Sequence, residues 1–175
     1  MAGSTELIAA LDVDTAEEAL KWAKLLEQCR YVKIGSQLFT RHGPHIVSEI
    51  HDLGKRIFLD LKFHDIPNTV AKAAQAAAAL GAHLITVHAC GGRRMIEAAR
   101  RAVDGSATAI LAVTVLTSLS DDMLREEVGL RETAAEAVQR YAKLAIESGA
   151  HGVVCSPEEI VLARQAVGWE PLVAT

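Results

Sequence analysis

Asp60, Lys62 and Asp65 place three charges within six residues, at the exit of an apolar run from Ile57 to Phe63. Side chains in a strand alternate between faces, so Asp60 and Lys62 are expected to share one face while Leu59 and Leu61 share the other. Lys33, near the end of the run Tyr31 to Gly35, offers a second cation. Charges buried without partners neutralise. Inward-pointing Lys33, Asp60 and Lys62, with Asp65 just beyond, would instead form a compensated array in which each neighbour of opposite sign favours the charged form of the other. A cationic lysine is a proton donor, and a fixed carboxylate repels a second negative charge set beside it. That pair suits loss of a carboxylate as carbon dioxide followed by protonation of the carbanion left behind. Two blander readings compete: an edge strand with a solvated charged face, and a structural ion pair inside a barrel. The elements that carry these residues decide between them.

Seven apolar runs recur along the chain: Leu7 to Val13, Tyr31 to Gly35, Ile57 to Phe63, Leu84 to Ala89, Ala109 to Leu116, Gly152 to Ser156 and Pro171 to Thr175. Each has the length and composition of a strand buried on both faces. Six helical segments lie between them. One is capped at Asp14-Thr15, with Glu17 and Glu18 in its first turn, and runs to about Gln28. Others span about Pro44 to Leu53, Asn68 to Leu80 (closed by Gly81 at C′), the stretch after Cys90-Gly91-Gly92 to Val103, Thr133 to Ser148, and Pro157 to Val167. Strand and helix alternate at roughly 25 residues per unit, the pattern of a parallel α/β fold. A TIM (β/α)8 barrel is expected, ahead of a doubly wound open sheet, because no G-x-G-x-x-G follows the first strand. Asp12, Lys33, Asp60, Lys62, His88 and Thr117 fall at carboxyl ends of these strands, which converge on one mouth in a barrel. Residues 1–175 are expected to form one barrel domain of about seven strands. An eighth βα unit, about 50 or more residues, would be absent through C-terminal truncation.

Half the residues are hydrophobic but only 4% are aromatic, so Ala, Val, Leu and Ile do the packing. The net charge of −4 and the lack of a basic tract argue against nucleic acid as a partner. Cys29, Cys90 and Cys155 are widely spaced with no C-x-x-C, which indicates neither a disulfide framework nor zinc. His42, His45, His51, His64, His83 and His151 are scattered without metal-ligand spacing, so no metal is expected. His88 is expected to pack and hydrogen-bond, the glycines of Cys90-Gly91-Gly92 to serve a tight turn, and Asp121-Asp122 to cap a helix. The segment Met1 to Glu6 has no leader character, and no charge-free stretch reaches membrane-spanning length. A soluble, cytoplasmic protein without membrane association is expected.

The run Asp60-Leu61-Lys62-Phe63-His64-Asp65-Ile66-Pro67-Asn68-Thr69 resembles the signature of the orotidine 5′-phosphate decarboxylase family, in its bacterial type. Leu11-Asp12-Val13, Val32-Lys33-Ile34-Gly35, Thr86-Val87-His88-Ala89 and Val113-Thr114-Val115-Leu116-Thr117-Ser118 match in order and spacing, so the resemblance covers essentially the whole chain. It implies decarboxylation of orotidine 5′-monophosphate to uridine 5′-monophosphate in pyrimidine synthesis, without metal or organic cofactor. By the same resemblance Lys62 protonates C6 of the pyrimidine, Asp60 sits against the departing carboxylate, and Lys33 bridges that carboxylate and the ribose. Asp12 binds a ribose hydroxyl, and Thr117 lies near the ring. Asp65, Ile66 and Thr69 reach into the active site of the other subunit of a homodimer, so each site is shared.

The family also holds the substrate phosphate with a Pro-Gly-Ile-Arg-like loop, a later glutamine and a Gly-Arg, and none of these is found here. Binding energy from a remote phosphate helps drive the reacting centre. The bare 175-residue polypeptide is therefore expected to have little or no activity, with an unpaired edge on the first and the seventh strand. Two alternatives stand beside this reading. A related sugar-phosphate decarboxylase or aldolase barrel, such as a magnesium-dependent keto-gulonate 6-phosphate decarboxylase, shares D-x-K-x-x-D but lacks the continuation Ile66 to Thr69. A catalytically inactive fragment that dimerises through its remaining interface is the other.

Overall fold

The computed structural model describes residues 5–175; Met1 to Ser4, the start of the segment read above for leader character, lie outside the described residues. Seven parallel strands form a single curled sheet in the order β1 to β7: β1 (Ile8–Ala10), β2 (Tyr31–Gly35), β3 (Arg56–Phe63), β4 (Ala82–His88), β5 (Ala109–Val113), β6 (Gly152–Val154) and β7 (Leu172–Ala174). Each strand pairs with the next in sequence, so β1 and β7 are the two outer strands. The alternating pattern thus resolves into successive βα units with neighbouring parallel strands, the barrel order rather than the doubly wound one.

Between the strands run α1 (Ala16–Leu25), α2 (Ser36–His42), α3 (His45–Asp52), α4 (Pro67–Ala79), α5 (Arg93–Ala102), α6 (Asp121–Met123), α7 (Ala134–Glu147) and α8 (Ile160–Val167). The sequence signals place several boundaries well. Thr15 caps α1 by accepting from Glu18 N–H at 3.2 Å. Thr133 and Glu136 form a reciprocal capping box at α7. Gly81, at φ +81, closes α4 in a conformation that a Cβ would strain. One helix was not expected: α2 fills the stretch after β2 to which the sequence reading assigned no element. The connection after Ser120, where a helix capped by Asp121-Asp122 was expected, folds as α6 followed by a π turn, Leu124–Val128. At α6 the cap is Ser120, accepting from Met123 N–H, while the Asp121 carboxylate accepts from Ala134 N–H at 2.7 Å and ties α6 to the start of α7.

Alternation along the strands builds two cores. Val32, Ile34, Ile57, Leu59, Ile85, Val87, Ile110, Ala112 and Val153 face the helices and pack against Ala74, Ile96 and Ala142. Small alanines let the helices approach the sheet closely, and every buried Val, Leu or Ile contributes roughly 1.5–3 kcal/mol. The intervening residues face the concave side, where Phe58, Leu84 and Leu111 cluster with Ile8, Tyr31, Ala109, Val154 and Ala174. Two residues further along the same faces come Lys33, Asp60 and Thr86. The apolar floor and the polar mouth are thus one stripe of alternate positions.

The helix-side face of the sheet also holds two histidines in a repeated Gly-Ala-His context. Ile57 N–H donates to His83 Nδ1 at 3.3 Å, and Ile110 N–H donates to His151 Nδ1 at 2.9 Å. An imidazolium cannot accept these bonds. Burial is the main cause that lowers both pKa values below 6.5, reinforced by Arg56 and His51 at His83 and by Arg100 at His151. A folded-state pKa below the unfolded one means that the unfolded chain binds more protons. The contribution is therefore full above about pH 6.5 and is lost as pH falls through the lowered values. Urea midpoints should drop between about pH 7 and pH 5, and less so in the double variant His83→Gln/His151→Gln; parallel curves would show that these rings carry no such linkage.

Candidate active site

The site begins with Asp60, whose side chain is only 12% exposed and whose two oxygens are both engaged. Oδ2 pairs with Lys62 Nζ at 2.8 Å and lies 3.9 Å from Lys33 Nζ. Oδ1 accepts from the Thr86 hydroxyl at 2.8 Å. Lys33 Nζ in turn donates to Asp12 Oδ1 at 3.0 Å. Two opposite charges ~4 Å apart attract by about 1 kcal/mol in water and about 4 kcal/mol at the effective dielectric of a protein surface. Exposure therefore ranks the links. Asp60 holds Lys62 firmly, whereas Asp12, with a side chain 64% exposed, makes a screened and weaker pair with Lys33. The solvated edge-strand reading does not survive this arrangement, because Asp60 sits on the concave face of an inner strand.

Asp60 and Lys62 do meet, but not through a regular strand. Leu59 pairs with Ile85 and Phe63 with Val87, so four residue steps on β3 span two on β4. Within this bulge Lys62 has φ +50, the only non-glycine with positive φ among the described residues. A lysine in that region costs of order 1–3 kcal/mol, and such strain concentrates at functional positions. Its backbone N–H is not lost to the ladder but donates to Thr86 Oγ1 at 2.8 Å. The expectation of simple alternation is corrected here: the bulge, not the pleat, turns Lys62 back onto Asp60.

Other expected residues take different places. Asp12 lies two residues beyond β1, and Lys33 and Asp60 lie within β2 and β3 rather than at their last positions. Asp65 is exposed and outside the array: its Oδ1 accepts from the Ile66 N–H at 2.6 Å. Ile66 is 67% exposed at the start of α4, and Thr69 is exposed beside it. Thr117, on the loop after β5, lines a groove with Val115, Ser120, Asp121, Ser156 and Glu159. His88 packs against His64, ring centroids 5.5 Å apart, and its ring makes no hydrogen bond among the described residues. Burial, then His64 and Lys62, lower its pKa against the opposing pull of Asp60, so no third cation joins the two lysines at neutral pH. Among the described residues no three His, Cys, Asp or Glu side chains converge in a metal-binding group.

Two contributors escaped the sequence reading. A Cβ on Gly35 would lie 3.3 Å from Lys33 Nζ and 3.4 Å from Asp12 Oδ1, so the glycine leaves room for that pair. Thr86 is 1% exposed and links Asp60 to the Lys62 backbone. Threonine in a strand is ordinary, and only the pairing of β3 with β4 shows what its hydroxyl meets.

Comparison with known proteins gives a consistent picture. The family model described as orotidine 5′-phosphate decarboxylase / HUMPS matches residues 5–173. A curated orotidine 5′-phosphate decarboxylase of Saccharophagus degradans is 50% identical over 169 residues, which is 94% of this chain and 70% of the relative. That of Halorhodospira halophila is 51% identical over 170 residues, 95% of this chain and 71% of the relative. The crystal structure of orotidine 5′-phosphate decarboxylase from Lactobacillus acidophilus superposes with a TM-score of 0.90 at 42% identity, covering 97% of this chain and 80% of that one. An uncharacterized conserved protein from Geobacillus kaustophilus gives the same TM-score at 40% identity, with 95% and 80% covered.

Proposed function

Because the chain belongs to the orotidine 5′-phosphate decarboxylase / HUMPS family, we propose that it decarboxylates orotidine 5′-monophosphate to uridine 5′-monophosphate in pyrimidine biosynthesis. The observation that carries this reading is the Asp60–Lys62 pair at 2.8 Å, flanked by Lys33, above an apolar floor of Phe58 and Leu84. The substrate carboxylate sits against Asp60, and their repulsion is relieved as the bond from C6 to the carboxyl carbon breaks. Carbon dioxide leaves, the electron pair stays on C6, and Lys62 Nζ delivers its proton there. Lys33 spans the carboxylate and the ribose, and Asp12, the most exposed member of the array, takes a ribose hydroxyl. Thr117 faces the pyrimidine ring.

A homodimer with shared sites belongs to the same proposal. Asp65, Ile66 and Thr69 are exposed, and Asp65 bonds the Ile66 N–H rather than the lysines of its own array, which suits delivery to a partner's site. Free thiols at Cys29, Cys90 and Cys155 suit a cytoplasmic location, and no helix among the described residues is long and apolar enough to cross a membrane.

The test is carbon dioxide release from orotidine 5′-monophosphate by the protein as the cell makes it, with an intact mass on the same sample. Turnover that persists in a metal chelator is expected. Absence of turnover would overturn the reading, and chelator-sensitive turnover of a keto-gulonate 6-phosphate instead would assign the chain to the sugar-phosphate branch.

A further inference from the structure

We propose that Thr86 is a positioning residue that holds the proton donor and the carboxylate in register through one hydroxyl. The directions of its two bonds are fixed by chemistry. The Lys62 backbone N–H can only donate and the Asp60 carboxylate can only accept, so the hydroxyl receives from Lys62 and gives its own proton to Asp60 Oδ1. Both bonds are 2.8 Å long, and Thr86 is 1% exposed, so no water stands ready to replace either partner. The bond to Lys62 falls on the one non-glycine residue with positive φ among those described, inside a bulge that the β3–β4 ladder does not hold. The bond to Asp60 leaves Oδ2 turned toward Lys62 Nζ. Loss of the hydroxyl frees the strained backbone and the carboxylate together, while the apolar floor below is untouched.

This inference rests on the decarboxylase reading for its kinetic consequence but not for its structural one, and the experiment separates the two. Wild type, Thr86→Val and Thr86→Ser are compared for turnover of orotidine 5′-monophosphate and for hydrogen exchange at the Lys62 amide. A misplacement of order 1 Å costs roughly 100-fold in rate. Thr86→Val should therefore lose roughly 10- to 100-fold in kcat with KM little changed. Thr86→Ser, which keeps the hydroxyl, should stay within about threefold of wild type. The Lys62 amide should exchange at least about tenfold faster in Thr86→Val alone, with the amides of Leu59 and Ile85 unaffected. Wild-type kcat in Thr86→Val, or a Thr86→Ser as slow as Thr86→Val, would overturn the proposal. If wild type shows no turnover, the decarboxylase reading fails by itself. Exchange then decides for Thr86: a Lys62 amide equally protected in all three proteins would refute its role.

Discussion

Lys62→Ala is expected to lower kcat/KM for decarboxylation by about 10⁴-fold or more. A positioned general acid supplies roughly 10²- to 10⁴-fold, and removal of a charge aimed at the developing carbanion costs a further 10² to 10³. Nothing nearby can substitute. Lys33 Nζ is bonded to Asp12 at 3.0 Å and stands 3.9 Å from the Asp60 oxygen that Lys62 meets at 2.8 Å, and burial lowers the pKa of His88. The matching glycine variant separates chemistry from strain. Lys62→Gly should be equally inactive yet more stable than Lys62→Ala by about 1 kcal/mol, because glycine adopts φ +50 without the Cβ penalty. Steady-state turnover and urea unfolding of both variants check this. Alanine activity within tenfold of wild type would remove Lys62 from the mechanism, and equal stabilities would deny the strain.

The contrast between what the sequence declared and what it hid follows from range. β2 was legible to the residue, as was Gly81, and the starts of α1 and α7 were legible to within a residue, because hydrophobic runs and caps are local signals. α2 was not: Leu38 is its only fully buried residue, so Ser36–His42 shows no apolar stripe to read. The charges Asp12, Lys33, Asp60 and Lys62 were legible as residues, since polarity in an apolar strand is conspicuous. The joining of Lys33, Asp60 and Lys62 in one array was legible too. What holds Lys62 in it was not, because that depends on a bulge that gives a lysine positive φ and on a hydroxyl 24 positions away in sequence, both products of strand pairing. The separation of Thr117 and Asp65 from the array has the same origin, because spacing along the chain places a residue at the mouth without fixing which part of it the residue reaches.

Asp60→Asn should separate binding from turnover. The amide keeps the shape and lets the Thr86 hydroxyl bond its oxygen, but it sets an N–H group where Oδ2 meets Lys62 and Lys33. Two ammonium groups then share no anion. In the free protein this should cost about 1–2 kcal/mol, below the 3–5 kcal/mol of a fully buried broken pair because the Lys62 side chain is 36% exposed. The carboxylate of orotidine 5′-monophosphate offers the missing anion and meets no Asp60 charge. The substrate should therefore bind as tightly as in wild type or more tightly, and should raise the Tm of the variant by more than that of wild type. Meanwhile kcat should fall roughly 10²- to 10³-fold, since the repulsion relieved at the transition state is gone. Calorimetric titration with the substrate and single-turnover kinetics read the two effects apart. Weaker binding with unchanged kcat would mean that Asp60 holds the ribose or the ring and does not press on the carboxylate.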